Sequence, residues 1–339
     1  MIRILFLAMV FAFAIKSYGQ GGFSVAEDEA HKKIKILFNG KLVTAYSWTD
    51  STEKPVLFPV KTLSGTTVTR GFPIAPRVGE RTDHPHHVGI WLNYESVNGL
   101  DFWNNSEAIP KEKLSKYGSI RHQKIVTFKS KKDKVMLVAN SHWVDQQSTV
   151  LLDEITEFVF SSKNSDLIID RTSTLEAKVP EVLFKDVKDG MLAIRVARQL
   201  EMPSKEKGSF VDAHGQVTQV EALDNAGVTG MYLDKEGIKG DSVWGKRSEW
   251  CELNGMLEGK QVSIVIIDNP KNPGYPTYWH ARGYGLFAAN PLGQKIFSKG
   301  KEELNLKLKK GEKVSFKYRI IIHEGSYMSA GEIEALKKF

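Results

Sequence analysis

The chain has 339 residues, 41% hydrophobic and 26% charged, with a formal net charge of +7 and a single cysteine, Cys251. Its lysines are scattered singly and no arginine-rich patch is interleaved with aromatics, which argues against nucleic acid as a partner. One cysteine excludes an intrachain disulfide, so a large core must hold the fold, and roughly 320 residues can supply one.

The N-terminus opens with Arg3, an apolar run from Ile4 to Ile15, and then Lys16-Ser17-Tyr18-Gly19-Gln20. A basic start, a short apolar stretch and small residues at its end predict a secretory signal peptide over residues 1–19. The run is shorter than the ~20 residues a membrane span requires, and no later segment comes closer. The expected product is periplasmic or secreted, has no membrane span after cleavage, and forms one domain over residues 20–339. Loss of Arg3 and Lys16 takes the charge from +7 to +5.

Strand patterns follow at Ile34–Phe38 and Leu42–Trp48, then at Lys124–Lys129, Val135–Trp143, Thr149–Phe160, Leu167–Leu175 and Val262–Ile267. Near the C-terminus Leu304, Leu306 and Leu308 alternate with polar residues, as do Val314, Phe316, Tyr318, Ile320 and Ile322. Such period-two runs bury one face and wet the other. Asn39-Gly40, Asp189-Gly190, Glu236-Gly237, Asn254-Gly255 and Lys310-Gly311 supply turns. Pro203 to Gly240 is polar and glycine-rich, and reads as long loops. Ser329-Ala330-Gly331-Glu332 is a capping box opening a short helix over Ile333–Phe339. The fold class is all-β: a large antiparallel β-sandwich with a short C-terminal helix.

The densest chemical signal is Asp83-His84-Pro85-His86-His87, ahead of Val88-Gly89-Ile90-Trp91. Imidazole titrates near neutrality and is the commonest metal ligand, so this cluster is the first site candidate. If the segment is extended, His84 and His86 share one side, about 7 Å apart along the backbone, and His87 faces the other way. Pro85 favours that geometry for His84. His84 and His86 are then candidate ligands for a divalent metal, with Asp83 orienting one of them and a third ligand needed from His122, His142, His214, His280 or a carboxylate. No metal or other cofactor is otherwise expected.

A second candidate runs from Tyr275 to Pro291, where Trp279 and Tyr284 offer flat faces and His280 and Arg282 polar tips. Flat apolar faces with polar edges suit sugar rings. Phe287 reads as core. Further candidates are Arg195 in an apolar strand, Asp101 beside Phe102-Trp103, His142 beside Trp143, the run Trp244–Trp250, and His323-Glu324. There is no Gly-x-Ser-x-Gly elbow, phosphate loop or dinucleotide fingerprint.

The Asp83–Trp91 run, Asn98-Gly99-Leu100-Asp101-Phe102-Trp103 and Trp279-His280-Ala281-Arg282-Gly283-Tyr284 together resemble a soluble bacterial family labelled "methane oxygenase PmoA", over most of the chain. That resemblance implies a galactose-mutarotase-like supersandwich and carbohydrate chemistry, since such proteins occur beside sugar-directed oxidoreductases. Its motif positions here are Asp83, His84, His86, His87, Arg195, His280 and Arg282.

The leading expectation is an exported carbohydrate-active enzyme, a hydrolase, lyase or epimerase acting on a sugar or oxidised sugar. His86 or His87 would serve as acid or base. Arg195 or Arg282 would bind a carboxylate or developing charge, with His280 in the same catalytic group and Glu324 as complementary acid. Asp83, His84, His142, Trp91, Trp279 and Tyr284 would hold substrate, Trp91 and Trp279 as platforms. The competing readings are a non-catalytic carbohydrate-binding protein and a metal-dependent protein built on His84 and His86.

Overall fold

A computed structural model describes residues 21–222 and 224–339; the expected signal peptide lies outside the described residues. Two eight-stranded sheets, antiparallel throughout, pack against each other. In spatial order the first contains Phe23–Asp28, Lys33–Phe38, Lys41–Ser47, Val56–Val60, Ile90–Tyr94, Gly190–Arg195, Leu286–Asn290 and Tyr278–Arg282. The second runs Met231–Asp234, Trp250–Leu257, Lys260–Asp268, Lys313–Glu324, Asp166–Ala177, Val150–Lys163, Lys134–Val144 and Ser119–Lys131. The chain is thus an all-β antiparallel sandwich.

The alternating residues foreseen in the last long strand meet the core as their spacing requires. Val314, Phe316, Tyr318, Ile320 and Ile322 belong to the cluster between the sheets, together with Leu92, Ile194, Phe287 and Ala289 from the first sheet. Ile321 points the other way. It packs with Trp250, Val265 and Ile267 under Ile333 of the C-terminal helix Ala330–Ala335, which Ser329 and Glu332 cap, and under Leu336 just past its end. That helix ends earlier than the sequence pattern suggested.

Pro203–Gly240 is not loop alone. It contains the hairpin Gly208–Val211 with Val217–Val220, and the edge strand Met231–Asp234. No helix among the described residues is long and apolar enough to cross a membrane.

On the outer face of the first sheet a smaller apolar cluster forms from Val56, Val88, Trp91, Trp103, Ala193, Leu286 and Ala288, with Phe58 and Tyr284 against it. Strand alternation directs these outward while Leu92, Ile194 and Phe287 point in. The candidate site rests on this second cluster.

Candidate functional site

The Asp83–His87 segment is a turn, not a strand. His84 takes φ +45°, and the His87 N–H donates to the His84 carbonyl at 2.9 Å. Gly89 then lets the chain enter the strand Ile90–Tyr94: its φ is +58°, and a Cβ there would lie 2.1 Å from the Leu57 carbonyl oxygen. Only glycine fits both demands.

The turn gathers the imidazoles that an extended chain would separate. The His84 ring lies parallel to both His87 and Tyr284, with centroids 4.8 Å and 5.1 Å away and planes within 4°. His86 stands edge-on to His87 at 4.3 Å, and His87 stacks on Trp91 at 5.2 Å. The expected opposition of His87 to the other two is therefore corrected. Offset stacking and edge contacts of this kind are favourable arrangements for flat rings.

Two buried arginines pin the turn. The Arg70 guanidinium donates to the carbonyls of Asp83, His84 and His87 at 2.8, 2.9 and 3.1 Å, and to Asp83 Oδ1 at 2.8 Å. Arg195 reaches the same Oδ1 at 2.6 Å and donates to His87 Nδ1 at 3.2 Å. Lys54 Nζ donates to the His86 carbonyl at 2.7 Å and sits 5.5 Å over the Trp91 ring.

Burial, reinforced by Lys54, His84, Arg195 and Arg70, pushes His86 down to about 2. Burial, reinforced by His86, Arg195, His84 and Arg70, holds His87 well below its ordinary value. Burial with Lys188, Arg282 and His84 pushes His280 down to about 3. These three rings are neutral at physiological pH. Burial likewise lowers Lys54 to about 7, against the pull of Glu53 and Asp101. Carboxyls move oppositely: burial raises Asp189, with Asp101 adding and Lys188 opposing. It raises Asp101 too, and Glu95, where the charges of Asp189 and Asp101 add to the effect. The groups that titrate closer to neutrality are thus Lys54 and these three carboxyls, whereas Asp83, against the opposing effect of burial, is held low by His84, Arg195 and Arg70.

The other expected residues divide. His280 is buried on the same face, its Nδ1 3.3 Å from Asp189 Oδ1. Arg282 is exposed, its guanidinium 5.7 Å from the Tyr284 ring. Arg195 is fully buried, and its terminal nitrogens bond to Asp83 and His87. It positions the cluster and does not reach for a substrate carboxylate.

Trp279 and Trp91 are both fully buried and cannot serve as open platforms. Trp279 lies in the core between the sheets, its indole donating to Ser248 Oγ, and Trp91 lies under His87. Glu324 ties Thr62, Ser64 and Lys260 together at the end of its strand, where those partners hold its carboxyl down to about 2 against the opposing effect of burial. His142 pairs with Asp153 at 3.5 Å on the outer face of the second sheet. Neither joins the histidines.

Among the described residues no three His, Cys, Asp or Glu side chains are placed to share a metal ion. His84 and His86 come within 5.6 Å of each other, but the third ligand that pair required is not supplied. His122 instead packs on Trp48 at 4.2 Å, beside a cavity of about 300 Å³ that Lys54 also lines. His214 is exposed in the Gly208–Val220 region.

Sequence reading missed Lys54, Arg70 and Asp189. Asp189 was visible only as half of a turn signal, and Lys54 and Arg70 carry no local signal at all.

A family model described as a family of unknown function, DUF6807, matches residues 33–338. No curated protein matches the chain in sequence. Among solved structures, the GH36 α-galactosidase AgaB from Geobacillus stearothermophilus is similar over 89% of this chain and 41% of that one, at 11% identity and a TM-score of 0.41. A galactose mutarotase-like protein from Clostridium acetobutylicum is similar over 90% and 99%, at 11% identity and a TM-score of 0.37. The Slr1438 protein from Synechocystis is similar over 94% and 100%, at 8% identity and a TM-score of 0.34. The chain spans about two fifths of the α-galactosidases it matches.

Proposed function

The chain belongs to the DUF6807 family of unknown function, and we propose that it is an exported carbohydrate-active enzyme performing acid–base chemistry on a sugar or oxidised sugar. The reaction is of the hydrolase, lyase or epimerase kind. One observation carries the reading: three imidazoles and Tyr284 meet on one sheet face, near carboxyls and a lysine whose ionisation burial has moved. Paired shifts of opposite sense are what acid–base sites require. The resemblance of these motifs to the family labelled "methane oxygenase PmoA" supports the substrate class, and the N-terminal pattern of residues 1–19 supports export.

Roles follow from the electrostatics. His86 stays neutral across the working range, so it hydrogen-bonds substrate and does not carry the proton. A proton carrier works best when it titrates near the operating pH. Asp189, raised by burial, fits that role better, with Lys54 as a further candidate. The exposed Arg282, beside the half-buried Tyr284, would meet the polar rim of the sugar ring.

The test is incubation with a panel of glycosides, uronosides and free sugars, following bond cleavage by chromatography and epimerisation by NMR. Wild-type protein is expected to turn over a member of the panel. His86→Ala and Asp189→Asn are expected to lose turnover while melting as the wild type does. A panel member that raises the melting temperature but is never converted would replace the enzyme with a binding protein.

A further inference from the structure

The hydrogen-bond balance of the cluster fixes the His87 tautomer. An arginine only donates, so the Arg195 contact at 3.2 Å makes His87 Nδ1 an acceptor. The neutral ring then carries its proton on Nε2. That N–H is buried and has no acceptor, and neither has the Nε1–H of Trp91, whose ring stacks on it at 5.2 Å. Both donors are closed to solvent with nothing within hydrogen-bond reach to receive them, although buried polar groups are ordinarily satisfied.

The charge around them is also unequal. Arg70 and Arg195 share one carboxylate oxygen, Asp83 Oδ1, while Lys54 Nζ is spent on a carbonyl. Among the described residues no carboxylate lies within ion-pair distance of Lys54. Two unmet donors beside Lys54, whose Nζ meets only a carbonyl, ask for a small anionic acceptor.

We propose that this acceptor is a carboxylate of the ligand, so that the site takes an acidic sugar, a uronic or aldonic acid, in preference to a neutral one. The proposal rests on the carbohydrate reading above and narrows its substrate class. Both nitrogens are closed to solvent, so the carboxylate enters by displacing His86, the half-buried ring set edge-on to His87 at 4.3 Å.

Calorimetric titration of the wild-type protein with D-glucuronate, D-galacturonate, D-gluconate, their neutral counterparts and acetate tests this. At least one acidic sugar is expected to bind about tenfold or more tightly than its neutral partner, the size of one charge-assisted hydrogen bond. Trp91→Phe keeps a flat ring and removes one donor, and is expected to lose about tenfold for the acid and little for the neutral sugar by the same measure. Equal binding of acid and neutral sugars overturns the inference and leaves the carbohydrate reading standing. Acetate binding as tightly as any sugar acid supports the donor pair and overturns the carbohydrate reading. Binding of none of these overturns both.

Discussion

Asp83 Oδ1 lies 2.6 Å from Nη2 of Arg195, a residue 112 positions further along the chain. The same oxygen takes Arg70 at 2.8 Å, so one carboxylate balances two buried guanidinium groups and fixes the turn carrying His84, His86 and His87. The histidines owe their arrangement to this node.

Asp83→Ala is expected to cost about 3–5 kcal/mol, because removing one partner of a buried ion pair leaves uncompensated charge. Urea unfolding followed by tryptophan fluorescence measures it. A loss under about 1 kcal/mol would show that the arginines find other partners, as surface pairs do.

The depressed histidines make part of the stability pH-dependent. His86, at about 2, is neutral when folded but takes up a proton near pH ~6.5 when unfolded. Its contribution is full above the unfolded value and is lost as pH falls towards the folded one. His86→Gln is expected to flatten the stability profile between roughly pH 6 and 4 by up to ~1.4 kcal/mol per pH unit relative to wild type. The comparison must be a difference, because buried Asp268, raised to about 7, moves stability in the opposite sense. Parallel wild-type and variant profiles would contradict the assignment.

Tyr284 stacks parallel to His84 at 5.1 Å, with the Arg195 and Arg282 guanidinium groups 5.0 and 5.7 Å from its ring. Tyr284→Ala is expected to weaken ligand binding about tenfold, with a stability loss of roughly 0.5–1.5 kcal/mol for the lost ring pair. Tyr284→Phe is expected to retain the stacking. Isothermal titration with the preferred ligand separates the two, and unchanged affinity in the alanine variant would remove Tyr284 from the site.

Three residues that looked functional in the sequence are expected to behave structurally. Trp279→Ala is expected to destabilise the sandwich by about 3–5 kcal/mol, as for other buried indoles. Glu324→Gln and His142→Ala are expected to change turnover by less than about twofold, since both lie apart from the histidine cluster. Steady-state kinetics checks both. A collapse of kcat in either would enlarge the site beyond the first sheet's outer face.

Legibility in the sequence followed the range of the physics. Alternation in Val314–Ile322 is a local property, so it gave the strand and its buried face together. The hairpin Gly208–Val211 with Val217–Val220 escaped notice because only Val211 of its residues is buried and it shows no alternating apolar face. The density of histidine between Asp83 and His87 marked the site, but an extended chain predicted the wrong facing, since turn geometry at His84 carries no strong compositional signature.

The sequence by itself determined the all-β sandwich, the capped terminal helix and the position of the histidine cluster, because periodicity, capping and composition act over a few residues. Only the tertiary structure decided which neighbours count. Trp279 and His280 are adjacent, yet pairing opposite Ala289 and Ala288 sends the first into the core and the second to the site face. Lys54 and Arg70 reach the turn from 32 and 13 residues away, by strand adjacency that no local pattern encodes. Ionisation followed the same rule: the imidazoles lost their basicity to burial and to cations brought from elsewhere in the chain.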